Sequence, residues 1–399
     1  MGSPEGEDAA GPRDRWLGCG HSSEPDAFTA GSKASLAAVQ GRTDAKLLVV
    51  FCSEAYDLDA LLVGIASESS STPLIGCSTA GEIATVGPAD ASIVVVAIGG
   101  PGFSVATGVG TDSAGELRQA TTTAVETCMA GIEQREHSVI LLLTDGLGGD
   151  QMEVVRGAYS VVGAEIPLVG GCAGDDMKMK RTFQLFGDRA LQNSVVAAAV
   201  SSDAPIGIGV EHGWRRVGEP MLVTGSSGNR VQTLDDQPAL DVYLSRLEAP
   251  AAVHEDPAAF TRFALTHPLG ISRRSGEEVR FVAGAGFEDR SLACIAGVPQ
   301  GGLAWIMEGD EQSVLEATDG ACAEALASLG AAPPLGLIAF DCIARRGVLG
   351  EVGIGREIER IAGFAGGAPV AGFYTYGEIA RTRGMRGFHN QTLVVLALA

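Results

Sequence analysis

Apolar residues along this chain recur with two different periods. AKLLVVFC (45–52), SVILLLTDG (138–146) and LGLIAFDC (335–342) are short continuous runs, the pattern of strands covered on both faces. Each is followed by apolar residues at helical spacing: Leu58, Leu61, Leu62 and Ile65, then Met152, Val155, Tyr159 and Val162, then Ile354, Ile358, Ile361 and Ala365. Three- and four-residue steps place those side chains on one face of a helix. A short segment opening on Pro comes next, and a further apolar run closes each unit (91–100, 193–202 and 391–399).

The unit therefore occurs three times. Its signatures are PLIGCSTAGEI (73–83), PLVGGCAGDDM (167–177) and PVAGFYTYGEI (369–379), the second needing one gap. Pro ends the helical stretch and suits the first residue of a strand. Two strands joined through a helix are expected to be parallel, with a right-handed crossover. Segment 237–247 reads as a helix, 280–307 as a strand meander and 319–330 as a helix. The expected fold is α/β, with α+β as the alternative, in repeated β-α-β-turn-β units forming two domains with mixed sheets. The expected divisions are a mobile tail over 1–32, rich in Gly, Ser, Pro and acids, then domains over 33–240 and 241–399.

Composition narrows the partners. The net charge of −21 argues against nucleic acid or anionic membrane as a main partner, since both are polyanions. Eight cysteines without a C-x-x-C pair, a polar opening without a signal-peptide pattern, and apolar runs short of the ~20 residues that span a bilayer read as a cytoplasmic protein with reduced thiols. The sequence has no P-loop, no G-x-G-x-x-G between strand and helix, no H-E-x-x-H and no zinc spacing, so no cofactor or metal is expected. GCSTAG approaches the G-x-S-x-G nucleophile elbow, but its second Gly falls one residue late and a turn follows it.

Ends of parallel strands are where such sheets take ligands. The candidates there are Gly76, Cys77, Ser78, Gly81 and Glu82, then Asp145, Asp175 and Asp176, then Cys342, Arg345, Tyr374, Tyr376 and Glu378. Each has two readings. The glycines serve close packing or a ligand. Glu82 and Glu378 bind backbone N–H groups of a neighbouring turn or a ligand's ammonium. Asp145 begins an ordinary turn or faces a site. Tyr374 and Tyr376 line a pocket or a half-buried sheet face. Cys342 beside Arg345 is an activated thiolate or a small buried hydrophobe.

Taken together, LIGCSTAGEI, LLLTDGLGGD, PLVGGCAGDD and HGWRRVGEPMLVTGSSGNRVQTLDDQPALDVYL resemble the N-terminal domain of the FIST proteins. FALTHPLGI, LIAFDCIARRGVLG, PVAGFYTYGEIA and FHNQTLVVLAL resemble their C-terminal domain. The likeness runs from about residue 33 onward. It implies a sensory protein that binds a small ligand, an amino acid among the expected ones, and signals through a separate kinase, cyclase or other partner. It adds Gly377 and Asn390 to the candidate ligand residues and supplies no catalytic set, so an enzyme is not expected. The alternatives are a cysteine-dependent enzyme using Cys77 or Cys342, with His267 or His389 as base, and a ligand-free adaptor.

Overall fold

A computed structural model describes residues 14–69, 71–111, 115–273, 276–382 and 387–399. The first repeat comprises β1 (Trp16–Ser22), α1 (Ala27–Val39), β2 (Ala45–Cys52), α2 (Leu58–Ser69), β3 (Leu74–Ser78), a hairpin of β4 (Glu82–Ala84) and β5 (Gly87–Ala89), and β6 (Ile93–Gly99). The second follows the same order: β7 (Phe103–Gly110), α3 (Leu117–Gly131), β8 (His137–Thr144), α4 (Met152–Val162), β9 (Leu168–Cys172), the hairpin β10 (Gln184–Phe186) and β11 (Arg189–Leu191), and β12 (Val195–Ser202).

The third repeat opens with β13 (Ile206–Glu211) and is interrupted by an inserted domain. That insertion holds β14 (Arg215–Ser227), β15 (Arg230–Leu234), β16 (Gln237–Pro238), α5 (Ala239–Arg246), α6 (Pro257–Ala264), β17 (Leu269–Arg273), β18 (Gly276–Arg280), β19 (Val282–Gly286), β20 (Ser291–Cys294) and β21 (Leu303–Glu308). The repeat resumes with α7 (Glu311–Ala327), β22 (Gly336–Cys342), α8 (Ile343–Ala365), β23 (Val370–Thr375), the hairpin β24 (Glu378–Arg381) and β25 (Phe388–His389), and β26 (Leu393–Leu398).

Each repeat builds most of one six-stranded sheet and lends its hairpin to another. The orders are β1-β6-β2-β3-β10-β11, β7-β12-β8-β9-β24-β25 and β13-β26-β22-β23-β4-β5. Among the described residues only β2–β3, β8–β9 and β22–β23 run parallel, as their helical crossovers require. The sheets are mixed, and the α/β reading holds. The first repeat's hairpin sits in the third sheet, the second's in the first sheet, and the third's in the second sheet. This cyclic exchange ties the repeats together, since no sheet is complete from its own repeat.

The alternation along each buried strand explains the layering. Val49, Phe51, Leu141, Leu143, Ile338 and Phe340 point into one core shared by the three sheets. Leu48 and Val50 point the other way, onto Leu61 and Ile65 of α2. Phe51 stacks on Phe373 at 4.8 Å between centroids, and Phe340 stands edge-on to both. Such pairs add about 0.5–1.5 kcal/mol each beyond the area they bury.

One expectation about organisation changes. The tail does not extend to residue 32. Trp16 and Leu17 are buried, β1 pairs antiparallel with β6, and α1 begins at Ala27 behind the Asp26 cap. Trp16 packs with the residues of α1 and Leu17 with the shared core, so both faces of this strand are covered. The division at 240/241 falls within α5 of the inserted domain, so the third repeat has its first strand before that point and the rest after β21. The region 280–307 forms three strands, but β21 pairs with β14 and β17 instead of continuing a meander. Among the described residues no helix is long and apolar enough to cross a membrane.

Candidate functional site

The three Pro-led strands deliver their turns to one point, where every pair of turns is hydrogen-bonded. Gly174 N donates to Ser78 O at 2.9 Å and Asp176 N to Thr79 O at 3.1 Å. Ala80 N donates to Tyr374 O at 3.0 Å, and Tyr374 N to Gly81 O at 2.9 Å. Cys172 N donates to Gly377 O at 2.8 Å, and Tyr376 N to Cys172 O at 3.3 Å. The turns thus converge on one another and satisfy one another's backbone groups. Ser78, Glu82, Tyr374 and Glu378 are all 0% exposed. The sequence-predicted residues at the turns do scaffold work.

Their roles follow from these contacts. Gly76 and its counterparts Gly170 and Gly372 lie against the backbone carbonyls of Val50, Leu142 and Ala339 on the adjacent parallel strand, where a Cβ would collide. Ser78 Oγ donates to Gly174 O at 2.7 Å and accepts Phe183 N at 2.9 Å. Cys77 is in the shared core, and burial pushes its thiol well above the ordinary value. Cys342 is buried likewise, and desolvation together with the Glu378 charge pushes its thiol up too. The neighbouring guanidinium of Arg345 is committed to Asp341 and Glu357, so the activated-thiolate reading of Cys342 finds no support. Tyr374 lies under the Arg346 guanidinium at 5.0 Å, and Asn390 is 2% exposed beside the bend at Gln391.

The glutamates belong to a threefold set. Glu82 Oε2 accepts Ser92 N at 3.2 Å, and Glu378 Oε2 accepts Thr392 N at 3.1 Å. The second repeat has Gln184 in this place, whose Oε1 accepts Ser194 N at 3.1 Å. The preceding residues, Ala91, Asn193 and Gln391, all take left-handed φ near 50° (50°, 46° and 54°). The side chain thus closes a strained two-residue bend at the entry to each last strand. Burial pushes both glutamates to about 8 despite these bonds. Both are 0% exposed, with a carboxyl oxygen turned onto the bend rather than toward an open surface.

Gln184 was hidden because ten residues, 174–183, stand where the other repeats have two (80–81 and 376–377). Asp175 organises this longer loop. Its carboxylate accepts the backbone N–H groups of Met179, Lys180 and Arg181 at 2.9, 2.6 and 3.0 Å, and the Tyr376 hydroxyl at 2.5 Å. Burial opposes ionisation there, but these donors hold the carboxyl below its ordinary value. Asp176 accepts Ser53 Oγ at 3.0 Å, and Lys178 pairs with Glu54 of the first repeat.

Asp145 leads to a different place. Its carboxylate accepts Leu147 N at 2.9 Å and Thr182 Oγ1 at 2.6 Å, shaping the turn between β8 and α4. Gln151 fixes the helix start, accepting Thr144 Oγ1 at 3.0 Å and donating to Asp145 O at 2.8 Å. The first turn of α4 then faces the inserted domain across a cleft of about 430 Å³. Asp150, Met152 and Arg156 line one wall, and Glu278, Arg280 and Val298 the other. Arg280 is 2% exposed, with its guanidinium on Glu278 at 2.7 Å, Val279 O at 3.0 Å and Gly297 O at 3.3 Å. The cleft thus has carboxylates and guanidiniums on both walls, an apolar strip of Met152 and Val298, and the positive end of a helix. Its residues come from repeat two and the insertion, which share no motif, so nothing in the spacing signals that they meet.

Sequence models of two domains match this chain, the FIST N domain over residues 46–237 and the FIST C domain over 239–381. The uncharacterised protein MJ1623 of Methanocaldococcus jannaschii is 29% identical over 129 residues, 30% of this chain and 25% of its own length. The chain therefore spans about a quarter of that relative. A crystal structure of cyanuric acid hydrolase from A. caulinodans is 13% identical with a TM-score of 0.28, over 48% of this chain and 72% of that one, a likeness too slight to carry an argument. With both domain models matched in order over most of its length, the chain belongs to the FIST family, whose domains are associated with sensory and signal-transduction roles.

Proposed function

We propose that this protein is a small-ligand sensor whose ligand, zwitterionic like an amino acid, sits in the cleft between α4 and the inserted domain. One observation carries the proposal: two separately built bodies meet across a space of about 430 Å³ with opposite charges on each wall. That volume lies in the usual range for small-molecule sites, roughly 300–1,000 Å³. A ligand carboxylate fits Arg156 and the first turn of α4, and a ligand ammonium fits Asp150. Closure of the inserted domain on the ligand is the change a separate signalling partner would read.

Burial of the thiols supports binding over cysteine chemistry. One ring nitrogen of each candidate base is held by a backbone carbonyl: His267 Nδ1 lies 2.7 Å from Phe263 O, and His389 Nε2 lies 2.9 Å from Ala380 O. A thermal-shift screen of the proteinogenic amino acids and small carboxylates tests the proposal. A binder at a hundred times its Kd adds about 2.7 kcal/mol of stability. A panel that leaves the melting temperature unchanged throughout contradicts it.

A further inference from the structure

The third repeat carries a buried charge cluster that the other two lack among the described residues. Asp341 stands at the end of β22, where the equivalent positions in β2 and β8 hold Cys52 and Thr144. The Arg345 guanidinium, fully buried, reaches Asp341 Oδ1 and Glu357 Oε1 at 2.7 Å each, Thr318 Oγ1 at 2.9 Å, and the carbonyls of His212 at 3.2 Å and Val314 at 3.3 Å. One side chain thus joins β22, α7, the exit of β13 toward the inserted domain, and both halves of α8.

Those halves are distinct. Gly350 breaks the helix with φ 62° and ψ −179°, leaving a short segment, 343–349, ahead of the main helix. Arg345 lies on the short segment and Glu357 on the main helix, so their ion pair spans the break. The short segment is also a platform for the insertion: Val348 packs with Trp214, Val279 and Met307. On its other side Arg346 bonds Ala80 O at 2.9 Å and Asp90 at 2.7 Å.

The charges do not balance. Two carboxylates share one guanidinium, and Asp341 Oδ2 and Glu357 Oε2 are buried without a hydrogen-bond partner. Both needs are met by one proton held between the two carboxyl groups, which flank the same guanidinium at 2.7 Å each. We propose that this cluster is a proton-operated latch: with the shared proton it fixes segment 343–349 to the rest of α8, and without it the segment swings at Gly350 and loosens the platform under the inserted domain.

Burial first, then the Glu357 charge, raises the Asp341 carboxyl well above its ordinary value. A raised acid stabilises the closed form at low pH, and that stability is lost as pH rises through the folded-state value. The other titratable groups facing the cluster are Glu211 and His212 from the β13 end, Cys322 from α7, Tyr374 from β23, and Cys342 and Glu378 on the turn side. Of these, His212 is lowered to about 4 by burial and stays neutral over the range of interest.

The test is peptide-resolved hydrogen exchange on the full chain carrying E82Q and E378Q, so that those two acids do not titrate. After correction for intrinsic rates, peptides covering 343–349 and 211–217 should lose at least tenfold protection between about pH 6 and pH 9. Adding Asp341→Asn should flatten that dependence, and Glu357→Gln serves if Asp341→Asn does not fold. Protection that is flat with pH before either substitution overturns the proposal. So does a pH loss that persists unchanged in both variants.

Discussion

Gln184 Oε1 receives the Ser194 backbone N–H at 3.1 Å, the contact that Glu82 makes with Ser92 and Glu378 with Thr392. A neutral amide therefore does in one repeat what a carboxyl does in two. Glu82→Gln should fold normally and be more stable at alkaline pH. The Glu82 carboxyl is raised to about 8, so its stabilising effect is full below the unfolded value and lost as pH climbs toward 8, at roughly 1.4 kcal/mol per unit. Denaturant unfolding at about pH 5 should barely separate the variant from wild type, and at about pH 8.5 the variant should lead by up to ~5 kcal/mol. A wild-type advantage at the higher pH would mean that the carboxyl is ionised in the folded protein.

Asp175 is the internal anion of the 174–183 loop. Asp175→Ala leaves three backbone N–H groups and the Tyr376 hydroxyl without their acceptor, at a cost of about 2–4 kcal/mol. The loop carries Lys178, Lys180 and Arg181, all exposed, so limited trypsin digestion reports on it directly. Cleavage in that loop should accelerate at least tenfold in the variant, while sites elsewhere hold their rates.

Thiol chemistry separates scaffold from catalyst. Cys77 and Cys342 are buried, and both thiols are raised well above their ordinary value by desolvation. Iodoacetamide near neutral pH should leave both unmodified in the native protein and label them only after unfolding. Rapid native labelling of either one would return weight to the enzyme reading.

Much of the fold could be read from the chain because the repeat is written in alternation and spacing. AKLLVVFC, the Leu58–Ile65 face and the Pro-led PLIG each became the element expected of them. The parallel pairs followed from crossover geometry. The hairpin exchange could not be read, because three-residue strands such as Glu82–Ala84 carry no pattern that names a partner sheet. Nor could the insertion, whose short strands read as a continuation of the second domain. The turn junction and the cleft differ in how far they could be read. Residues with conspicuous chemistry, Cys77, Ser78 and Glu82, close the turn junction. The cleft is lined by Asp150, Arg156 and Arg280, which look like ordinary surface charges until α4 and the insertion are brought together. Asp145 is a candidate by sequence, and its carboxylate shapes the turn that leads to the cleft.

Gly297 offers a clean way to close that cleft. A Cβ there would find only Gly228 O, at 3.7 Å, and the residue is exposed, so a larger side chain projects into the space without displacing backbone. The most direct measurement is calorimetric titration of the strongest amino-acid binder from the panel into wild-type protein and Gly297→Trp. Saturable binding at one site per chain is expected in the wild type, and affinity reduced at least a hundredfold in a variant whose melting temperature is unchanged. Equal affinity in the two proteins would contradict it and place the ligand somewhere other than between α4 and the inserted domain.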